Sequence, residues 1–171
     1  MEKLVGMLLI LAGCAGMLFS WQEKKRRQQI FMGECIRLLE GWKYALSRGH
    51  VRLYDFLEEY EYRVPEMEEL LKMLRERLEK NVYPSGIFVW QKILWEKRTE
   101  LPIGDEAYRI LLDAGDAFFG NNSEACLRCA LACRERMEEV MTEEKKDMAR
   151  KWRVYMPVGM LGGTILIILL V

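Results

Sequence analysis

Two charge-free apolar runs bracket the chain, and they limit what it can fold into more than anything between them. Leu4 to Trp21 (LVGMLLILAGCAGMLFSW) and Val154 to Val171 (VYMPVGMLGGTILIILLV) contain no Asp, Glu, Lys or Arg. At 1.5 Å per residue, about 18 residues nearly cross a bilayer core of roughly 30 Å, so each run predicts a transmembrane helix. The second run closes the sequence and reads as a tail anchor. The expected organisation is an N-terminal transmembrane helix over 1–21, a central helical domain over 22–153 and a C-terminal transmembrane helix over 154–171.

Flanking charge orients the two spans. Lys24, Lys25, Arg26 and Arg27 follow the first, and Lys145, Lys146, Arg150, Lys151 and Arg153 precede the second. Basic residues beside membrane ends stay on the cytoplasmic side, which predicts a cytoplasmic centre with both termini outside the cytoplasm. Trp21, Trp152 and Tyr155 stand where interfacial aromatic residues are expected. Inside the spans, Gly6, Gly13 and Gly16 in the first and Gly159, Gly162 and Gly163 in the second would let backbones approach closely, either for packing between spans or as ordinary membrane-helix glycines.

The centre reads as all-α. Phe31, Cys35, Leu38, Leu39, Trp42, Ala45 and Leu46 step by three and four, placing them on one face of a helix that ends near Ser47 to Gly49. Further helices are predicted from about Arg52 to Tyr62, Pro65 to Lys80, Gly86 to Thr99 and Asp105 to Phe119, separated by Pro-, Gly- and Asn-bearing turns. A sixth starts at Ser123, capped by a Ser or Asn side chain, and continues toward the second span. No segment alternates with period two, so the expectation is a cytoplasmic six-helix bundle flanked by two transmembrane helices.

Charge and motif content narrow the function. The 26 basic and 26 acidic residues cancel, leaving no overall field for nucleic acid. No GxxxxGK[ST], GxGxxG or nucleophile elbow is present, and the lone His50 falls in a turn between charged helices, so no enzyme and no cofactor is expected. An acidic stretch, Glu58, Glu59, Glu61, Glu66, Glu68 and Glu69, is the candidate partner-binding surface, since electrostatic complementarity steers and orients encounters; a solvated helix face is the simpler account of the same charges.

Cysteine placement leaves two alternatives open. The odd count of five, without a regular framework, fits reduced thiols in a reducing compartment. Leu11 to Cys14 spells the L-A-G-C of a lipoprotein processing site, which would make the protein a processed lipoprotein or an exported helical binding domain anchored at Cys14. Cys126, Cys129 and Cys133 have CxxC spacing plus one further helical step, compatible with a membrane-tethered metal or redox protein. With Ala130 and Met137 they also form a core stripe, and the absence of a second ligand pair favours the core, so no metal site is expected.

Three stretches carry a resemblance: LVGMLLILAGCAG followed by basic residues, LPIGDEAYRILLDAGDAFFGNNSEACLRCALACRERMEE, and KWRVYMPVGMLGGTILIILLV. Over nearly its whole length the chain resembles the stage III sporulation protein AB family of endospore-forming bacteria. Asp105, Gly115 and Gly120 match positions that introduce the long terminal helix in the family. Lys151, Trp152, Gly159, Gly162 and Gly163 match the entry into its Gly-rich final span. After the first helix the family tends to carry Thr-Pro-Leu, where this chain has Gly49 to Leu53. The resemblance implies a cytoplasmic bundle similar to the inner-membrane platform protein of type II secretion and type IV pilus machines. It further implies a structural, non-enzymatic subunit of a secretion-like complex in the mother-cell membrane around the forespore, needed for endospore formation. The implied partners are a cytosolic secretion ATPase similar to stage III sporulation protein AA, other membrane subunits of the channel complex, and membrane lipid.

Overall fold

The structure, a computed structural model, describes residues 2–49, 52–80 and 84–170, with side chains left undescribed at 2–12, 14, 15, 17, 18, 152 and 154–170. The chain is all-helical. The described residues form six helices, α1 (Glu2–Ser47), α2 (Leu53–Glu59), α3 (Pro65–Glu79), α4 (Gly86–Glu96), α5 (Asp105–Phe119) and α6 (Ser123–Leu170), and no strand occurs among them.

The first apolar run and the helix carrying Phe31 to Leu46, separate elements in the sequence reading, form one continuous helix. It begins at Glu2 and runs unbroken, because residues 22–29 (QEKKRRQQ) are straight-chain polar residues that lose little side-chain freedom in a helix. It ends at Ser47, two residues before Gly49, whose φ of +118° lies where L side chains are strained. α2 is shorter than predicted, ending at Glu59 rather than Tyr62: Tyr60 turns extended, and the Tyr62 hydroxyl donates to the Leu57 carbonyl at 2.9 Å, satisfying a C-terminal acceptor. Val64, extended as the residue before proline tends to be, starts α3 at Pro65. α4 ends three residues earlier than predicted, in a turn closed by Glu100 and Leu101 N–H groups on the Lys97 carbonyl. Side-chain caps open two helices: Ser85 Oγ accepts from Phe88 N–H at 3.3 Å, and Asn122 Oδ1 from Glu124 N–H at 3.0 Å.

The chain divides into two compact units, 27–141 and a second formed by 1–26 with 142–171. In the second, Lys25 and Glu144 form an ion pair at 3.8 Å. Among the described residues no helix is long and apolar enough to cross a membrane. The predicted spans fall mostly on residues whose side chains lie outside the described set, and so do Gly6, Gly159, Gly162 and Gly163. At Gly13 and Gly16 an added Cβ would meet nothing within 4 Å among the described residues.

Unit 27–141 holds the core. Consecutive helices pack α2 on α3, α3 on α4 and α4 on α5. α5 contributes Ala107, Ile110, Leu111, Ala114, Ala117 and Phe118, a stripe of small and large residues that lets neighbours approach. Trp90 of α4 is fully buried, lies edge-on to Phe118 with ring centroids 5.3 Å apart, and donates its indole N–H to the Leu111 carbonyl at 2.8 Å. That approach depends on Gly115, because a Cβ there would sit 2.9 Å from Trp90 Cδ1. Trp42 of α1 donates to the Ala117 carbonyl at 2.7 Å, in the last turn of α5 where carbonyls lack partners further along the helix. Burying each large apolar side chain in this core contributes about 1.5–3 kcal/mol.

The α5–α6 corner is equally tight at Gly120, where a Cβ would meet the Asp116 carbonyl oxygen at 2.7 Å and Cys126 Sγ at 2.8 Å. Gly33, inside α1, has open space instead. Gly120→Ala should therefore destabilise the protein by about 1–3 kcal/mol, whereas Gly33→Ala should stabilise it by about 0.5–1 kcal/mol. Urea unfolding of the detergent-solubilised chain, followed by far-UV circular dichroism, reads both signs, and equal stability of the two variants would contradict this geometry.

Candidate partner-binding surface

The six glutamates singled out from the sequence lie on α2, on the connection to α3 and on the first turns of α3. What fixes that connection is a carboxylate the sequence reading passed over. Glu34 of α1 is 4% exposed and sits among Phe31, Cys35 and Leu38 on the apolar face. Arg37 grips it through two nitrogens, at 2.6 and 3.1 Å. The Tyr60 hydroxyl donates to it at 3.1 Å, and the Arg63 backbone N–H at 3.4 Å. Arg37 also donates to the Glu61 carbonyl and lies over the Tyr60 ring, 4.6 Å from its centroid. One buried charge pair thus holds residues 60–63 against α1.

Burial alone would raise the Glu34 carboxyl. The Arg37 guanidinium, helped by the Arg63 N–H and the Tyr60 hydroxyl, outweighs it and holds the group below the ordinary carboxylate range. Burial and the adjacent Glu34 charge push the Tyr60 phenol up, and the bond to Glu34 raises Arg37. An acidic residue three positions after Phe31 and four before Leu38 was the available sequence signal, since it interrupts an apolar register.

The structure divides the predicted glutamates. Glu58 pairs with Arg75 at 3.7 Å, Glu66 with Arg27, and Glu69 with Lys97 at 2.6 Å. Glu59, Glu61 and Glu68 are exposed and form no ion pair within 4 Å among the described residues, although the Glu61 charge is near enough to act on Arg37. About half of the acidic stretch therefore ties helices of this chain together, leaving a narrower free ridge.

On α6, Cys126 and Cys133 are buried and Cys129 is partly exposed. Cys126 Sγ donates to the Gly120 carbonyl at 3.4 Å, and Cys129 and Cys133 sulfurs stand 4.0 Å apart. Cys133 packs with Ala130 and Met137 in the core, the stripe their spacing describes. Among the described residues no three His, Cys, Asp or Glu side chains converge as they would around a metal ion. Burial pushes the Cys133 thiol up to about 12 and raises Cys35 further.

Two outcomes are expected. The Glu34 group is depressed on folding, so its stabilisation is complete above the ordinary value of 4.5 and is lost as pH falls through the folded value. Glu34→Gln should cost about 2–3 kcal/mol at pH 7, because Arg37 keeps some access to water, and should flatten the acid limb of a stability-against-pH curve. An unchanged acid limb would remove Glu34 from this role. Second, iodoacetamide at pH 7.5 should modify Cys35 and Cys133 at least about tenfold more slowly in the native chain than after unfolding, as read by peptide mass spectrometry.

Comparisons with known proteins agree on one relationship. The family model described as stage III sporulation protein AB matches residues 3–171. A solved structure titled stage III sporulation protein AB is similar with a TM-score of 0.61 at 12% identity, covering 72% of this chain and 98% of that one, a likeness of fold. No curated protein matches the sequence.

Proposed function

Because the chain belongs to the stage III sporulation protein AB family, we propose that it is a membrane-anchored platform subunit of a sporulation secretion-like complex. In this reading the apolar ends insert in the mother-cell membrane around the forespore, and the helical unit works in the cytoplasm beside a secretion-type ATPase similar to stage III sporulation protein AA. Its part is mechanical rather than catalytic: the bundle receives the partner's motion, and the spans hold it in register with other membrane subunits of the channel.

The observation that carries the reading is a family match extending from residue 3 to residue 171, across both apolar ends and the centre. Support comes from the basic clusters that flank each apolar run on its central side and from a core closed by Trp42 and Trp90 on α5. A preorganised bundle can transmit force because close-packed interiors compress little. The free ridge of Glu59, Glu61 and Glu68, with Glu58, Glu66 and Glu69 beside it, is one surface such a partner could read.

Topology decides it. Single cysteines beside Glu68 and Ser123, in a cysteine-free background, should stay protected from an impermeant thiol reagent in intact cells and react after permeabilisation. Deletion should block endospore formation. Labelling in intact cells would reverse the orientation and sink the reading, as would normal sporulation without the protein.

A further inference from the structure

On the side of α1 that faces Tyr60, its C-terminal half lines an open groove of about 640 Å³. Gly41 is among its lining residues, and a Cβ there would approach the Phe56 ring to 3.3 Å. Tyr44, Tyr60, Lys43, Arg48 and Arg37 line the rest.

The charges in it are unequal. Arg37 is spent on Glu34 and the Glu61 carbonyl, and Glu40, the acidic residue of the lining, shares Arg134, 3.2 Å away, with Glu138. Lys43 and Arg48 meet no carboxylate among the described residues, and neither does Arg52 at the start of α2. Arg48 is stacked on Tyr44 at 4.6 Å from the ring centroid, one helical turn apart, which holds its planar head ready for a bidentate contact. Tyr44 nonetheless keeps 58% of its surface in water. Two uncompensated cations around an exposed aromatic ring, over a groove, form a surface complementary to carboxylates carried on an apolar backbone segment.

We propose that this groove docks an acidic peptide segment of a partner protein, its carboxylates on Lys43 and Arg48 and its apolar side chains on Tyr44 and Tyr60. The proposal rests on the platform reading, to which it adds a basic contact surface beside the acidic ridge. Nucleic acid fits less well, because a few cations neutralise few phosphates. Lipid headgroups also fit less well: Tyr44 lies about 25 Å along α1 from Arg27, whereas the basic cluster beside the first apolar run is at Lys24 to Arg27.

The test places the photocrosslinker p-benzoylphenylalanine at Tyr44 in the full-length chain in sporulating cells, with exposed Lys72 as the control position, and sequences the crosslinked peptides. The expected adduct is a segment of another protein in which Asp and Glu outnumber Lys and Arg. Its yield should drop at least about tenfold in the Lys43→Glu, Arg48→Glu double variant and survive Lys43→Arg with Arg48→Lys. Should charge reversal unfold the chain, as thermal unfolding in detergent would reveal, Lys43→Gln with Arg48→Gln takes its place. No adduct above the Lys72 control overturns the proposal. So does an adduct to lipid, nucleic acid, a second copy of this chain or a non-acidic segment, or a yield indifferent to charge. Normal sporulation of the deletion strain would sink the platform role while leaving the adduct chemistry to be read by itself.

Discussion

Two indole N–H groups, from Trp42 on α1 and Trp90 on α4, end on carbonyls of α5, and the arrangement of unit 27–141 depends on them. A buried indole N–H without an acceptor would cost more than its bond contributes, so each ring can enter the core only in the pose that reaches its carbonyl. That requirement fixes α1 and α4 relative to α5. Gly115 makes the Trp90 pose possible, and the unfilled carbonyl of Ala117 near the end of α5 makes the Trp42 pose favourable.

A second constraint is electrostatic. Glu34 is buried where an apolar residue would pack as well or better, with Arg37 only partly covered, and such pairs bring little net stability over a hydrophobic substitute. What it supplies is position. By gathering the Tyr60 hydroxyl, the Arg63 N–H and the Glu61 carbonyl, it holds the short α2 and its exit to α3 on α1. The acidic ridge and the α1 groove are therefore built on a common support, and Arg37 and Tyr60 belong to both the support and the groove lining.

Surface charge on this bundle is mostly internal glue. Arg77 with Glu96 and Arg136 with Asp113 join neighbouring helices, as Arg134 joins Glu40 to Glu138. Exposed pairs of this kind contribute little each, but they decide which charges remain for a partner. Among the charges outside these pairs are Glu59, Glu61 and Glu68 and the groove residues Lys43 and Arg48, a local distribution that a net charge of zero conceals.

The sequence by itself determined the helices, most of their ends and the core stripes. Those follow from local chemistry: apolar residues every three or four positions, a Pro at the start of α3, the cap at the start of α6, and the turn near Gly49. It also placed Cys133, Ala130 and Met137 in one stripe. Only the tertiary structure decided that Glu34 is a buried hub, that α2 stops at Glu59, and that Glu66 and Glu69 belong to Arg27 and Lys97. The partners in those contacts lie 39 and 28 positions apart in the chain, and no periodicity encodes a meeting that depends on how helices cross.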